Sequence, residues 1–162
     1  MDIDTRPARA ELQRIVEQNL ECAVQLSELL HEERHALEEQ DVDSLRAVAA
    51  NKQLAVQRME EIEQQRRSLC AAMGVGIDAP GMEQLQNLCD PTAIVRPMWD
   101  KLINIVAECE ALNRSNGAIS RLRSAQLKSV LEMFNGSDSV NPLYNAAGQG
   151  IAQTEQHPIA RI

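Results

Sequence analysis

From Leu12 onward, apolar side chains recur in alternating steps of four and three at Leu12, Val16, Ala23, Leu26, Leu30 and Leu37, with Asn19 and Glu33 at the two polar positions of the series. This spacing places all of them on one face of an α-helix. Pro7 is tolerated in a first turn, where its missing N–H has no partner to lose. The pattern predicts a helix from about residue 7 to about residue 40, on the order of 50 Å long, which must pack against something along its length.

Asp41 and Asp43 bracket a break, and an acidic cap before Leu45 opens a second stripe of Leu45, Val48, Ala55, Met59, Ile62, Leu69 and Met73, interrupted by Lys52 and Arg66. A connection this short folds the second helix back on the first as an antiparallel hairpin. Gly74, Gly76, Pro80 and Gly81 then read as a loop. Residues 82–89 allow a short helix through Met82, Leu85 and Leu88, stopped by Asp90-Pro91. The next helix begins at a Thr92 cap or, preferably, with Pro97 as its first residue, because an interior proline would break the turn before it. Its stripe is Leu102, Val106, Cys109, Leu112, Asn116, Ile119, Leu127, Val130 and Phe134, and Asn135-Gly136 signals its end. Residues 136–162 offer only Val140, Leu143, Tyr144, Ile151 and Ile159 as larger apolar groups, too little area to offset the ordering of the backbone, and are expected to form a mobile tail.

Composition strengthens this picture. The chain has 162 residues, 44% hydrophobic but only 2% aromatic, supplied by Trp99, Phe134 and Tyr144, so it has core material but little that favours strands. The expected fold is all-α: a long antiparallel helical hairpin, a short connecting helix and a third long helix in a coiled-coil-like bundle over residues 1–135, followed by the tail of 136–162. The net charge of −8 is concentrated in residues 1–73, with 15 acidic against 9 basic side chains, the wrong field for nucleic acid, and the few aromatics offer little stacking. Cys22, Cys70, Cys89 and Cys109 are scattered without a C-x-x-C pair, which suits buried small hydrophobes in a reducing compartment. No basic-then-apolar leader and no run near the ~18 apolar residues of a membrane span is present, so the expected location is the cytoplasm. The N-x-S sequons at Asn113 and Asn135 are then incidental.

One string carries candidate chemistry. His31-Glu32-Glu33-Arg34-His35 matches H-E-x-x-H, in which two histidines one turn apart hold zinc and the glutamate activates water. With Leu26, Leu30 and Leu37 at the seam, however, both histidines point outward from a rod, where no dry cleft exists, and His157 is the only other histidine. The acid pairs Glu32-Glu33, Glu38-Glu39 and Glu60-Glu61 read as solvated helix faces. No phosphate-cradling glycine loop and no nucleophile motif is present. The expectation is a protein without catalytic residues, metal or cofactor.

The last long helix is less ordinary. Asn113-Arg114-Ser115-Asn116-Gly117 puts two amides and a glycine in its middle, where glycine alone costs about 1 kcal/mol relative to alanine. Either Asn116 sets register inside the bundle and Gly117 allows close approach, or these residues help to form a groove for a partner. From Ala111 to Leu131 there is no acid but four bases, Arg114, Arg121, Arg123 and Lys128, beside Ile119, Leu122, Leu127, Val130 and Leu131. Such a basic amphipathic half-helix suits the acidic hairpin, an acidic membrane surface or an amphipathic partner helix. Leu122 and Leu131 lie off the main seam and widen the apolar face beyond what one hairpin covers.

Together these features resemble the FlgN-type flagellar type III export chaperones. The weaker part of the likeness is the hairpin, with Glu33-Leu37, Asp41-Leu45 and then Lys52. The more specific part is Leu112-Asn113-Arg114-Ser115-Asn116-Gly117, similar to the family's L-N-x-x-N-G, followed by Leu143-Tyr144-Asn145-Ala146-Ala147-Gly148-Gln149, similar to its L-Y-x-A-x-G-Q. The resemblance covers about residues 10–150. It implies a cytoplasmic chaperone that grasps the C-terminal helix of hook-filament junction proteins of the FlgK and FlgL type, prevents their premature assembly and brings them to the cytosolic domain of the export gate. It also implies cargo contacts on the end of the last helix and the following tail, here Asn113, Asn116, Gly117, Ile119, Leu122, Leu127, Val130, Leu131 and Phe134. Gate docking by the tail tyrosine, Tyr144 with Leu143 and Gly148, follows from the same likeness. The alternatives are a structural coiled-coil adaptor without cargo and a zinc hydrolase using His31, Glu32 and His35.

Overall fold

The computed structural model describes residues 6–137, with side chains through Phe134. Four α-helices follow one another: α1 Arg6–Glu39, α2 Val42–Ala72, α3 Ala79–Cys89 and α4 Val95–Ser137, with no strand among the described residues. The all-α architecture read from the pattern is the one observed. The described residues fall into two units that part between Ser120 and Arg121.

The α1–α2 turn is built by Gln40 and Asp41. Gln40 takes a left-handed conformation, φ 60°, and the Asp41 N–H reaches back to Ala36 O at 3.0 Å, which closes the end of α1. The Asp41 carboxylate then accepts the N–H groups of Asp43 at 3.1 Å and Ser44 at 3.0 Å, so one residue ends one helix and caps the next. The Ser44 hydroxyl and these backbone bonds hold its carboxyl below the usual range.

Along α1 the expected seam is buried at Leu12, Val16, Asn19, Ala23, Leu30 and Leu37, while Leu26 is half-buried. A second line, Ile15, Cys22, Leu29 and Ala36, is buried as well, each residue seven beyond the last. The stripe is wide because two helices share it. Ile15 and Cys22 pack with Ile62 of α2, and Leu29 packs with Val48 and Ala55. On the other side, α4 reaches α1 where the Cys109 thiol faces Ala23 O at 3.7 Å and Asn116 bonds Leu30 O.

Near the start of α1, α3 completes a third cluster of Leu12, Val16, Cys70, Met82, Leu85, Cys89 and Val95, flanked by Met98 and Trp99. Arg66, an interruption in the α2 stripe, is buried there. It pairs with Glu63 at 2.8 Å, donates to Ile77 O at 2.8 Å and lies 5.8 Å from the Trp99 ring centre, so its buried charge is partnered.

Three boundaries differ from the sequence reading. Helix α3 starts at Ala79, before the expected residue 82, because Asp78 caps it through the Gly81 N–H at 3.0 Å and Pro80 suits a first turn. Gly81 therefore belongs to the helix and is tightly constrained: a Cβ there would lie 1.9 Å from Gly76 O. The buried face of α3 uses Cys89 where Leu88 was expected, and Leu88 is exposed. Helix α4 starts at Val95, ahead of Pro97, because neither Thr92 nor the proline sets its start. The Asp90 carboxylate does so by accepting Ile94 N–H at 3.0 Å and Val95 N–H at 2.7 Å, and Pro97 falls in the first turn. The helix also continues through Asn135 and Gly136 to Ser137.

Between α2 and α4, over the stretch of α1 from Ala23 to Glu33, lies an open groove of about 630 Å³. Ala23, Leu26 and Leu30 form its floor, Val56 and Met59 one wall, and Val106 and Cys109 the other. Met59 and Val106 are only half-buried, since no further helix covers them among the described residues.

Candidate functional site

The two sequence stretches singled out on the hairpin and on α4 meet in one polar cluster at the end of this groove. Asn116 is 2% exposed, and its whole amide is engaged. Its Oδ1 accepts Arg34 Nε at 2.7 Å, and its Nδ2 donates to Leu30 O at 2.8 Å and to Glu33 Oε2 at 2.9 Å. Arg34 also donates to the Ser115 hydroxyl at 2.7 Å. From α2, Lys52 Nζ donates to both Glu33 oxygens at 2.9 Å and to Asn113 Oδ1 at 3.1 Å.

Each amide of the L-N-x-x-N-G stretch thus stitches α4 to the hairpin, Asn116 to α1 and Asn113 to α2. A hydrogen bond with one charged partner contributes about 1.5–3 kcal/mol net, enough to offset the cost of the half-buried Gly117 in mid-helix. The register role of Asn116 is what the geometry displays. Glu33, paired on sequence grounds with Glu32 as solvated, belongs instead to this cluster, while Glu32, Glu38, Glu39, Glu60 and Glu61 are exposed. Arg34 escaped the sequence reading because a lone arginine beside a glutamate pair looks like any solvated helix face. Its spacing one turn after Leu30 was the available signal.

Beyond the cluster the character of α4 changes. Ile119 is half-buried, but Leu122, Leu127, Val130, Leu131, Met133 and Phe134 are exposed, from 45% at Val130 to 71% at Met133. By helical spacing these side chains fall within about half of the helix circumference, with the half-buried Arg123 among them. Arg121 and Lys128 lie on the opposite side by the same spacing, and Lys128 approaches Glu132 at 3.8 Å in an exposed pair that contributes little. Exposed apolar area of this kind makes this face a candidate binding surface. Leu143, Tyr144 and Gly148 lie outside the described residues.

His31 and His35 are both exposed on α1, on the outward side that the seam assigns them. Among the described residues, no group of three or more His, Cys, Asp and Glu side chains converges as a metal site would require. All four cysteines are buried free thiols, and loss of hydration pushes those of Cys22, Cys89 and Cys109 upward, which makes them poor nucleophiles. None of the described helices is long and apolar enough to cross a membrane.

Comparison with known proteins is consistent with this arrangement. The family model described as FlgN protein matches residues 1–150, nearly the whole chain. No curated protein and no solved structure matches it significantly.

Proposed function

The chain belongs to the FlgN family of flagellar export chaperones, and on that premise we propose that it holds the C-terminal helical segment of hook-filament junction proteins of the FlgK and FlgL type in the cytoplasm. The observation that carries this reading is the apolar face of α4 between Leu122 and Phe134, exposed in a helix whose preceding half buries its seam at Val95, Leu102, Cys109 and Asn116. An amphipathic cargo helix lies along Ile119, Leu122, Leu127, Val130, Leu131 and Phe134, and its own apolar face leaves water as it does so. The cargo helix cannot then take part in assembly.

Asn113, Asn116 and Gly117 act in this scheme at the contact of α4 with the hairpin, by holding α4 in register so that the binding face begins at a defined place. Leu143, Tyr144 and Gly148 dock the loaded chaperone on the cytosolic domain of the export gate. A single aromatic anchor gives the modest affinity that a delivery cycle needs. The scheme uses no catalytic residue, metal or cofactor, and it makes the protein a binding partner and no enzyme.

The test is co-elution of purified junction protein with the full chain and with a form truncated after Gly117. Cargo should co-elute with the first and not with the second. Equal binding by both would place the cargo site elsewhere, and binding to neither would favour a structural adaptor.

A further inference from the structure

The loop between α2 and α3 is anchored from several sides. The Val75 N–H reaches back to Cys70 O at 3.0 Å, and Gly76 packs against Gly81 of α3 with no room for a Cβ between them. The buried Arg66 donates to Ile77 O at 2.8 Å and stacks near the Trp99 ring, so one cation of α2 ties this loop to the first turns of α4.

Ile77 is anchored through its backbone carbonyl, and its side chain is exposed. Trp99 and Ile103 lie one turn apart on α4 and share a face, the first half-buried and the second exposed. Together with Asp78, Asp100 and Asn104, these three apolar side chains line one shallow hollow of about 550 Å³. A lone exposed isoleucine is ordinary on a protein surface. Two of them beside a tryptophan, on elements already held in place, have the composition of a binding hot spot and little conformational freedom left to lose on contact.

The charge of the hollow has one sign. Its charged lining residues are Asp78, which also caps α3, and Asp100. Arg96, one turn before Asp100, is directed to Asn87 Oδ1 at 3.1 Å.

We propose that this hollow docks a basic amphipathic segment of a partner protein. An aliphatic side chain of that segment enters between Ile77, Trp99 and Ile103, and its flanking Lys or Arg side chains face Asp78 and Asp100. Apolar contact supplies the affinity, and the acidic rim rejects acidic segments. All residues of the hollow precede Ser120, and the proposal stands whether or not the face after Leu122 holds cargo.

Trp99 is the only tryptophan of the chain, so its fluorescence reports on this place. The test is titration of the full chain with a synthetic peptide of about 18 residues, five helical turns, carrying Leu at 3–4 spacing, Lys beside that stripe and Gln elsewhere. A second peptide has Glu in place of each Lys. The Lys peptide should shift Trp99 emission to shorter wavelength in a saturable way as the ring leaves water, and the Glu peptide should bind at least about tenfold more weakly. Ile77→Ser should weaken binding of the Lys peptide about tenfold, and Asp100→Lys at least about threefold, with helix content unchanged by circular dichroism. Glu61→Lys, an equal change of net charge at an exposed position of α2 outside the hollow, should leave the affinity within about twofold.

The absence of a saturable shift up to about 1 mM peptide overturns the proposal. So does equal binding of the two peptides, an Ile77→Ser chain that binds as well as the unmodified one, or a loss in Asp100→Lys no larger than that in Glu61→Lys.

Discussion

Leu102 and Leu127 sit on the same helix, belong to the same apolar series and have opposite surroundings. The first is 2% exposed among the helices of the bundle, and the second is 62% exposed on the later half of α4. The bundle half of α4 is recognised by its polar exceptions: Cys109 and Asn116 follow Leu102 at seven-residue steps and are buried with it. The next step of seven reaches Arg123, which is half-buried, and beyond it Leu127, Val130 and Leu131 are exposed among the described residues. An apolar stripe therefore marks a helix face without telling how much of it the other helices cover, and here burial falls away after Asn116.

The contrast can be tested by making the same change in both halves. Leu102→Ala should cost about 2–5 kcal/mol of unfolding free energy in denaturant titration, as a buried leucine leaves a cavity. Asn116→Ala should cost about 1–3 kcal/mol, because it strands Arg34 Nε and removes both bonds of Nδ2; a loss near zero would mean that the cluster does not hold α4.

Asp90→Asn should cost about 1 kcal/mol at pH 7, as a weakened cap does. Burial pushes the Asp90 carboxyl up, but backbone N–H bonds from Val95, Ile94 and Arg96, together with the Arg9 charge, outweigh it and hold the group below the usual carboxylate range. A depressed value means that the charged form stabilises the fold above the unfolded-state pKa. This contribution is lost as pH falls through the folded one. The gap between Asp90→Asn and the unmodified chain should therefore close in acid, and a gap constant with pH would refute the assignment. Smallest in stability is Leu127→Ala, expected within about 0.5 kcal/mol of the unmodified chain while weakening cargo retention on a column.

Much of this was legible in the order of residues. The 3–4 spacing that defines α1 and α2 is local, and the Asp41 cap needs only its neighbours Asp43 and Ser44. The later α4 face was legible for the same reason, since nothing else in the described chain alters it. Other features were not. The second buried line on α1, Ile15 to Ala36, looks like an ordinary flank until a second helix is known to lie there. Asp90 caps a helix that begins five residues later, through a turn whose Ala93 has φ 52°, and no short-range cap pattern anticipates that reach.

The sequence by itself determined which segments are helical, where the hairpin turns, and that one amphipathic face is wider than a hairpin can cover. Those properties follow from periodicity and from caps that act within a few residues. Tertiary structure alone decided that Glu33, Arg34 and Lys52 meet Asn113, Ser115 and Asn116, and that a trough remains between α2 and α4. Partners some 60 to 80 residues apart are chosen by how whole helices pack, and no local preference encodes the space left over when three helices pack where four would fit.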